Sequence, residues 1–230
     1  MIAYLVRHAE SLSNTKESAS LNAALSDLGR RQTIAVAERL AAAEISAIYS
    51  SPFDRCIETA APLAERLGLP IRIRPEICEY HQIPEGDERT HGLESIEAIT
   101  RRYPIARPCP DHADPFEWTP TLEPFESLLS RIRRFEAFLK GRWGDDDAVV
   151  VFSHGSPTAR LIDAWLTMQP GPSFRFIIDN AAVSCVRFHA GVSSLICLND
   201  VSHLAGLPAP RSGNYRDDRT IKKLPPSGYW

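Results

Sequence analysis

A mainly parallel α/β sheet with helices on both faces is the fold class this sequence predicts. Short, nearly continuous apolar runs recur along the chain, at residues 2–6, "AIYSS" (47–51), "IRIRP" (71–75) and "AVVVFSH" (148–154). Runs of that length and composition suit strands covered on both faces. Between them lie segments with helical period, and this alternation of strand and helix builds a parallel sheet. With 230 residues and 43% hydrophobic content, the chain can bury a full core in one large domain.

The elements follow in order. Residues 27–43 place Val36 and Leu40 four apart beside Ile34, Ala37 and Ala41, with Ser26 as the N-cap. A second helix over 54–67 carries Ile57, Ala60, Ala64 and Leu67 and stops at Gly68; Pro62 inside it should kink it or remove a backbone bond. The longest helix, 123–141, sets Leu128, Ile132, Phe135 and Leu139 on one stripe, and another follows Pro157 with Leu161, Ile162, Trp165 and Leu166. Later strands are expected at 183–188 and 194–199. Two stretches break the alternation. Residues 80–121 are rich in Pro, His, Asp, Glu and Arg, with helical character only at 93–103, and read as a lid segment inserted over one edge of the sheet. Residues 205–230 carry five basic and two acidic side chains among Pro and Gly without a core period, and read as a basic C-terminal tail. The expected division is therefore one domain over 1–204, with its lid at about 80–121, and the tail.

Composition removes several classes of function. A net charge of −3 gives no electrostatic footprint for a nucleic-acid partner, so any anion must be held by a local cluster of cations. No stretch approaches 18 apolar residues, and Met1 leads straight into "IAYLV" without a basic segment; neither a membrane partner nor secretion is expected. Five scattered cysteines, Cys56, Cys78, Cys109, Cys185 and Cys197, contain no C-x-x-C pair and read as reduced thiols of a cytoplasmic protein.

In open parallel sheets, ligands bind beyond the carboxyl ends of the strands. Arg7 and His8 follow the first strand, Arg55 the second, Glu79 the third, and His154 and Gly155 the fourth. Taken singly, a strand-end His or Arg is more often a turn or surface group. Together, so many cationic and proton-transferring groups would repel one another without an anion between them. Guanidinium forks match a tetrahedral oxyanion, and the helix N-terminus after Gly155 adds partial positive charge. Ser11 and Asn14 add polar groups within a turn of His8. The pattern fits a phosphoryl group. His81, His91 and His112 lack H-x-H or H-E-x-x-H spacing, so no metal is expected, and no cofactor is implied. Arg89, Arg101, Arg102 and Arg107 either bind a second anionic group of the ligand or form a solvated charged loop.

"LVRHAES" with Asn14 resembles the "LVRHGES…N" signature of the histidine phosphatase superfamily, in its phosphoglycerate mutase-like branch. "LSDLGRRQ", "IYSSPFDRCIETA", "PEICEY", "FESLLSRIRRF", "VVVFSHG", "DNAAVSCVRF" and "LNDVSHL" resemble further segments of that family in the same order, over nearly all of residues 2–204. The resemblance implies a phosphoglycerate mutase-like catalytic domain that hydrolyses phosphomonoesters of small metabolites. It makes His8 the nucleophile of a phosphohistidine intermediate, Arg7, Arg55, His154, Asn14 and Gly155 the phosphoryl-binding groups, and Glu79 the general acid, with neither metal nor cofactor. Ala9 stands where Gly is commoner. The "GxWEG" that usually trails the acid is missing, which keeps Glu76 and Glu85 as alternatives for that role. Ser13 stands at the mutases' tryptophan and their long basic segment is absent, so a phosphatase is favoured over a mutase. A non-catalytic phosphate-recognition or scaffolding protein is the rival from another class; the oligomeric state is left open.

Overall fold

A computed structural model describes residues 1–80, 94–109, 123–171 and 175–208. Its strands are β1 (Ile2–Arg7), β2 (Ile45–Ser50), β3 (Ile71–Ile73), β4 (Ala106–Pro108), β5 (Ala148–Ser153), β6 (Val183–His189) and β7 (Val192–Asp200). They form one sheet in the order β4-β3-β2-β5-β1-β6-β7. The five strands from β4 to β1 run parallel, and β6 and β7 are added antiparallel. The expected mainly parallel architecture is thus observed.

The continuous apolar runs have a simple cause, since both faces of the central strands are covered. Along β5, Val150 and Phe152 join the core beneath α1 (Asp27–Leu40) and α2 (Asp54–Leu67), while Val149 and Val151 join the core beneath α4 (Phe125–Arg142) and α5 (Gly155–Trp165). Successive side chains point to opposite faces, so a doubly covered strand has no polar position to alternate with. The expected stripe of the longest helix is buried as read: Leu128, Ile132, Phe135 and Leu139 all sit in the second core.

Local signals held at most element ends. Ser26 Oγ accepts from the Gly29 amide, and Gly68 closes α2 in the left-handed region at φ 66°. The helix continues through Pro62. Three expectations need correction. α1 ends at Leu40 rather than 43, and Ile34 is half exposed because it lies off the Val36–Leu40 stripe that faces the sheet. β3 ends at Ile73, where Pro75 starts a 3-10 turn over Pro75–Ile77. Part of the stretch read as an inserted lid belongs to the sheet: α3 (Ile96–Arg102) leads into β4, which pairs parallel to β3 as the edge strand. At three residues, with Pro108 at its end, β4 is too short to signal a strand by period. The remainder of that stretch, 81–93 and 110–122, and tail residues 209–230 lie outside the described residues. Among the described residues no helix is long and apolar enough to cross a membrane, and all five cysteines are free thiols.

Candidate active site

The sheet's register sets the site. Arg7 of β1 pairs with Ser153 of β5, so the residues that follow, His8 and His154, leave the sheet side by side. Their ring centroids are 5.1 Å apart. The His8 amide donates to the Ser153 carbonyl at 2.8 Å, carrying the pairing one residue past the strand. Arg7, His8, Arg55 and His154 are all at most 5% exposed, which is rare for such groups unless a partner is provided. The His8 Nδ1 lies 2.8 Å from the Ala9 carbonyl oxygen. A carbonyl can only accept, so Nδ1 carries the proton and Nε2 presents its lone pair. Burial, with the charges of Arg55 and Arg7 next in weight, holds the His8 pKa well below the ordinary histidine value. The ring is neutral at physiological pH.

Arg55 arrives on the first turn of α2. Its Nη1 donates to the Leu21 carbonyl at 2.5 Å, and its Nη2 lies 3.1 Å from His154 Nδ1. A guanidinium only donates, so His154 Nδ1 accepts, and Nε2–H faces Ser51 Oγ at 2.8 Å. Phe53 supports both groups: its face lies 4.4 Å from the Arg55 guanidinium carbon, and its ring meets His154 edge-on at 5.0 Å. Arg7 Nη1 donates to the Ile178 carbonyl at 2.6 Å. A Cβ on Gly155 would lie 3.7 Å from Arg7 Nε, so the start of α5 and the Arg7 guanidinium share one corner. Two guanidinium groups and a helix N-terminus therefore surround the His8 ring, an arrangement that favours an oxyanion.

The Asn14 Oδ1 is an acceptor for Ser11 N, Ser11 Oγ and Asn180 Nδ2, at 2.9–3.1 Å. This leaves the Asn14 NH2 as its donor end. Asn180 was not singled out from the sequence. Fully buried, it also donates to the His8 carbonyl at 3.0 Å, joining the His8 loop to Asn14. Thr59 was missed as well: its Oγ1 accepts from the Ala9 amide and donates to the Arg55 carbonyl, tying the loop to α2. Glu10 accepts from Ser26 Oγ, and its amide donates to Gln32. Gly29 is required there, since a Cβ would stand 2.0 Å from the Glu10 carbonyl oxygen. The "ES", "LG" and "Q" letters of the motifs carried these contacts, but pattern alone cannot show which backbone each side chain meets.

Glu79 is half-buried just beyond the 3-10 turn, with Oε1 accepting from the Tyr80 amide at 2.8 Å. Its charge reaches Arg55 and raises that guanidinium's pKa against the larger lowering by burial. Glu76 is placed differently. It is buried and forks onto Arg74, at 3.1 and 2.5 Å, beneath which lies the Phe138 ring. That bond commits Glu76 to a structural ion pair. Glu85, the other alternative, lies outside the described residues, as do Arg89, His81, His91 and His112. Of the remaining arginines, Arg102 is paired with Asp54 and Glu94, Arg107 donates to the Ala106 carbonyl, and Arg101 is exposed. Among the described residues, no group of three His, Cys, Asp or Glu side chains could hold a metal ion.

Two buried histidines and two buried arginines beyond the strand ends of a parallel sheet define an α/β protein with an oxyanion-holding site, and comparison places it. Residues 3–201 match the family described as "Histidine phosphatase superfamily (branch 1)", and the chain belongs to that family. It is 30% identical to phosphoserine phosphatase 1 of Hydrogenobacter thermophilus, over 87% of this chain and 92% of that one. It is 37% identical to a glucosyl-3-phosphoglycerate phosphatase of Mycolicibacterium vanbaalenii, over 70% and 72%. A mycobacterial glucosyl-3-phosphoglycerate phosphatase, solved as a complex with VO3, superposes with a TM-score of 0.64 at 26% identity, covering 86% of this chain and 98% of that one. The alpha-ribazole phosphatase of Shigella flexneri, at 22% identity over 87% and 96% and a TM-score of 0.66, shares the fold. The protein is a phosphatase, a phosphoric monoester hydrolase of the histidine phosphatase family.

Proposed function

We propose that hydrolysis proceeds through a phosphohistidine on His8, with phosphomonoesters of small metabolites as substrates. The observation that carries this reading is the His8 imidazole itself, neutral, with its lone pair on Nε2 and within the field of two buried arginines. In the first step Nε2 forms a bond to phosphorus as the ester P–O bond breaks, and Glu79 gives a proton to the departing alkoxide. In the second, Glu79 takes a proton from water as its oxygen attacks phosphorus, and His8 leaves. Arg7, Arg55, Asn14 and the amides at Gly155 offset the charge on the phosphoryl oxygens, and His154 joins them by turning its Nε2–H from Ser51 Oγ to the bound group. No residue in this scheme needs a metal.

Phosphoserine and glucosyl-3-phosphoglycerate, after which two of the relatives are named, are phosphomonoesters that also bear a carboxylate, so substrates with a second anionic group head the test set. A mutase would share the site but return the phosphoryl group to a second hydroxyl; Ser13 and the absence of the mutases' basic segment support water as acceptor. A scaffolding role would leave a neutral imidazole and a carboxylate whose charge reaches Arg55 without use. Residues 1–204 are proposed as one catalytic domain and 205–230 as its basic tail. The five free thiols are the state a reducing cytoplasm maintains, which supports that location. The test is a phosphate-release screen of phosphorylated metabolites combined with rapid acid-free quenching of the radiolabelled enzyme. Label on His8 is expected; turnover without any label on His8 would reject the mechanism.

A further inference from the structure

Arg131, in the middle of α4 and fully buried, occupies a position where an aliphatic side chain would satisfy the packing stripe. It instead spends all five guanidinium N–H groups. Nη1 donates to the carbonyls of Glu76 at 2.5 Å and Cys78 at 2.7 Å. Nη2 donates to the Glu79 carbonyl at 3.3 Å and to Glu123 Oε2 at 2.9 Å, and Nε donates to Glu123 Oε1 at 2.7 Å. The remaining carbonyl of the segment, Ile77, accepts from Ser153 Oγ at 2.7 Å. Four consecutive carbonyls, 76–79, are thus held by side chains of two core elements. One of those side chains immediately precedes His154. Irregular backbone cannot satisfy its own buried carbonyls, and the geometry it adopts is the one its donors impose.

We infer that Arg131 is a positioning residue for the acid: by holding the carbonyls of Glu76, Cys78 and Glu79, it sets where the Glu79 carboxylate stands relative to the phosphoryl site. The inference rests on the reading of Glu79 as general acid. Lysine cannot replace the fork, because one ammonium has three N–H groups and no planar spread to span three carbonyls and a carboxylate. A displacement on the order of 1 Å at a proton donor costs about 10²-fold in rate.

Single-turnover phosphoryl transfer from an alkyl phosphate and from p-nitrophenyl phosphate tests it, since the alkoxide needs the proton and the nitrophenolate barely does. Arg131→Lys is expected to slow the alkyl ester by about 10²-fold and the nitrophenyl ester by no more than about threefold. Glu79→Gln is expected to show the same selectivity, and Arg131→Lys added to Glu79→Gln to bring no further selectivity. Glu123→Gln, at a carboxylate nearer the surface, removes one acceptor of the fork and carries the same comparison should Arg131→Lys not fold; a selective loss of about tenfold is expected. Equal losses with both esters in these fork variants, beside a selective Glu79→Gln, overturn the positioning role alone. An unselective Glu79→Gln removes the acid assignment and the inference with it.

Discussion

The Nδ1 of His8 stands 2.8 Å from the carbonyl oxygen of Ala9, its neighbour in the chain, and this contact leaves the lone pair of the imidazole on Nε2. The proposed nucleophile is oriented by a backbone carbonyl of its own loop. His8→Ala should therefore lose at least about 10³-fold in turnover, the scale seen when a member of a cooperating catalytic set is removed. Circular dichroism should show the fold retained, because β1 and β5 pair through residues that precede His8.

The lowered His8 pKa makes stability depend on pH with a defined sign. Below the ordinary histidine value of about 6.5 the unfolded chain takes up a proton that folded His8 refuses, so stability falls as pH drops from there toward the folded pKa. His203, which accepts burial on similar terms, adds to the same slope. Thermal melts of wild type and His8→Ala between pH 7.5 and 5 are expected to diverge at the acid end, the variant losing less, by up to about 1.4 kcal/mol per pH unit. Parallel curves would show that His8 is not held neutral.

Anion binding should stabilise the fold. Arg7 and Arg55 are buried beside each other's field, and an oxyanion between them relieves the cost. Phosphate or vanadate at about a hundred times its Kd should raise stability by about 2.7 kcal/mol. Arg55→Ala should abolish most of that gain; a full gain in this variant would place the anion elsewhere.

Glu76→Gln should separate the two carboxylates. It leaves the buried Arg74 without its charged partner, at a cost on the order of 3 kcal/mol, while changing alkyl and nitrophenyl ester hydrolysis alike. Urea unfolding and both assays read this directly. A stable Glu76→Gln with a loss confined to alkyl esters would make Glu76 the acid.

Gly29→Ala should reach the site from a distance. The new Cβ meets the Glu10 carbonyl at 2.0 Å, where backbone must move rather than a flexible side chain. A destabilisation of about 1–3 kcal/mol with a drop in kcat is expected, since Glu10 lies two residues from His8. An unchanged melt and rate would show that the loop accommodates the methyl group.

The sequence alone determined what depends on local chemistry. Continuous apolar runs announced doubly covered strands, Ser26 and Gly68 announced helix ends, and the motif letters brought Arg7, His8, Arg55, Glu79 and His154 to the carboxyl edge of one sheet, because chain order and a parallel sheet leave strand ends on that side. What depends on contacts far apart in the chain was decided only by the tertiary structure. β4 is a strand because β3 offers it an edge, not because "ARP" has a period of its own. The motif pointed to Glu79 and kept Glu76 as an alternative; in the structure Arg74 takes Glu76 into an ion pair, and Arg131 holds the backbone of Glu79. Asn180 and Thr59 reach the His8–Ala9 loop across 172 and 50 residues of chain. Hydrogen bonds of that separation carry no sequence period, since nothing in the local pattern records which distant carbonyl a buried donor must satisfy.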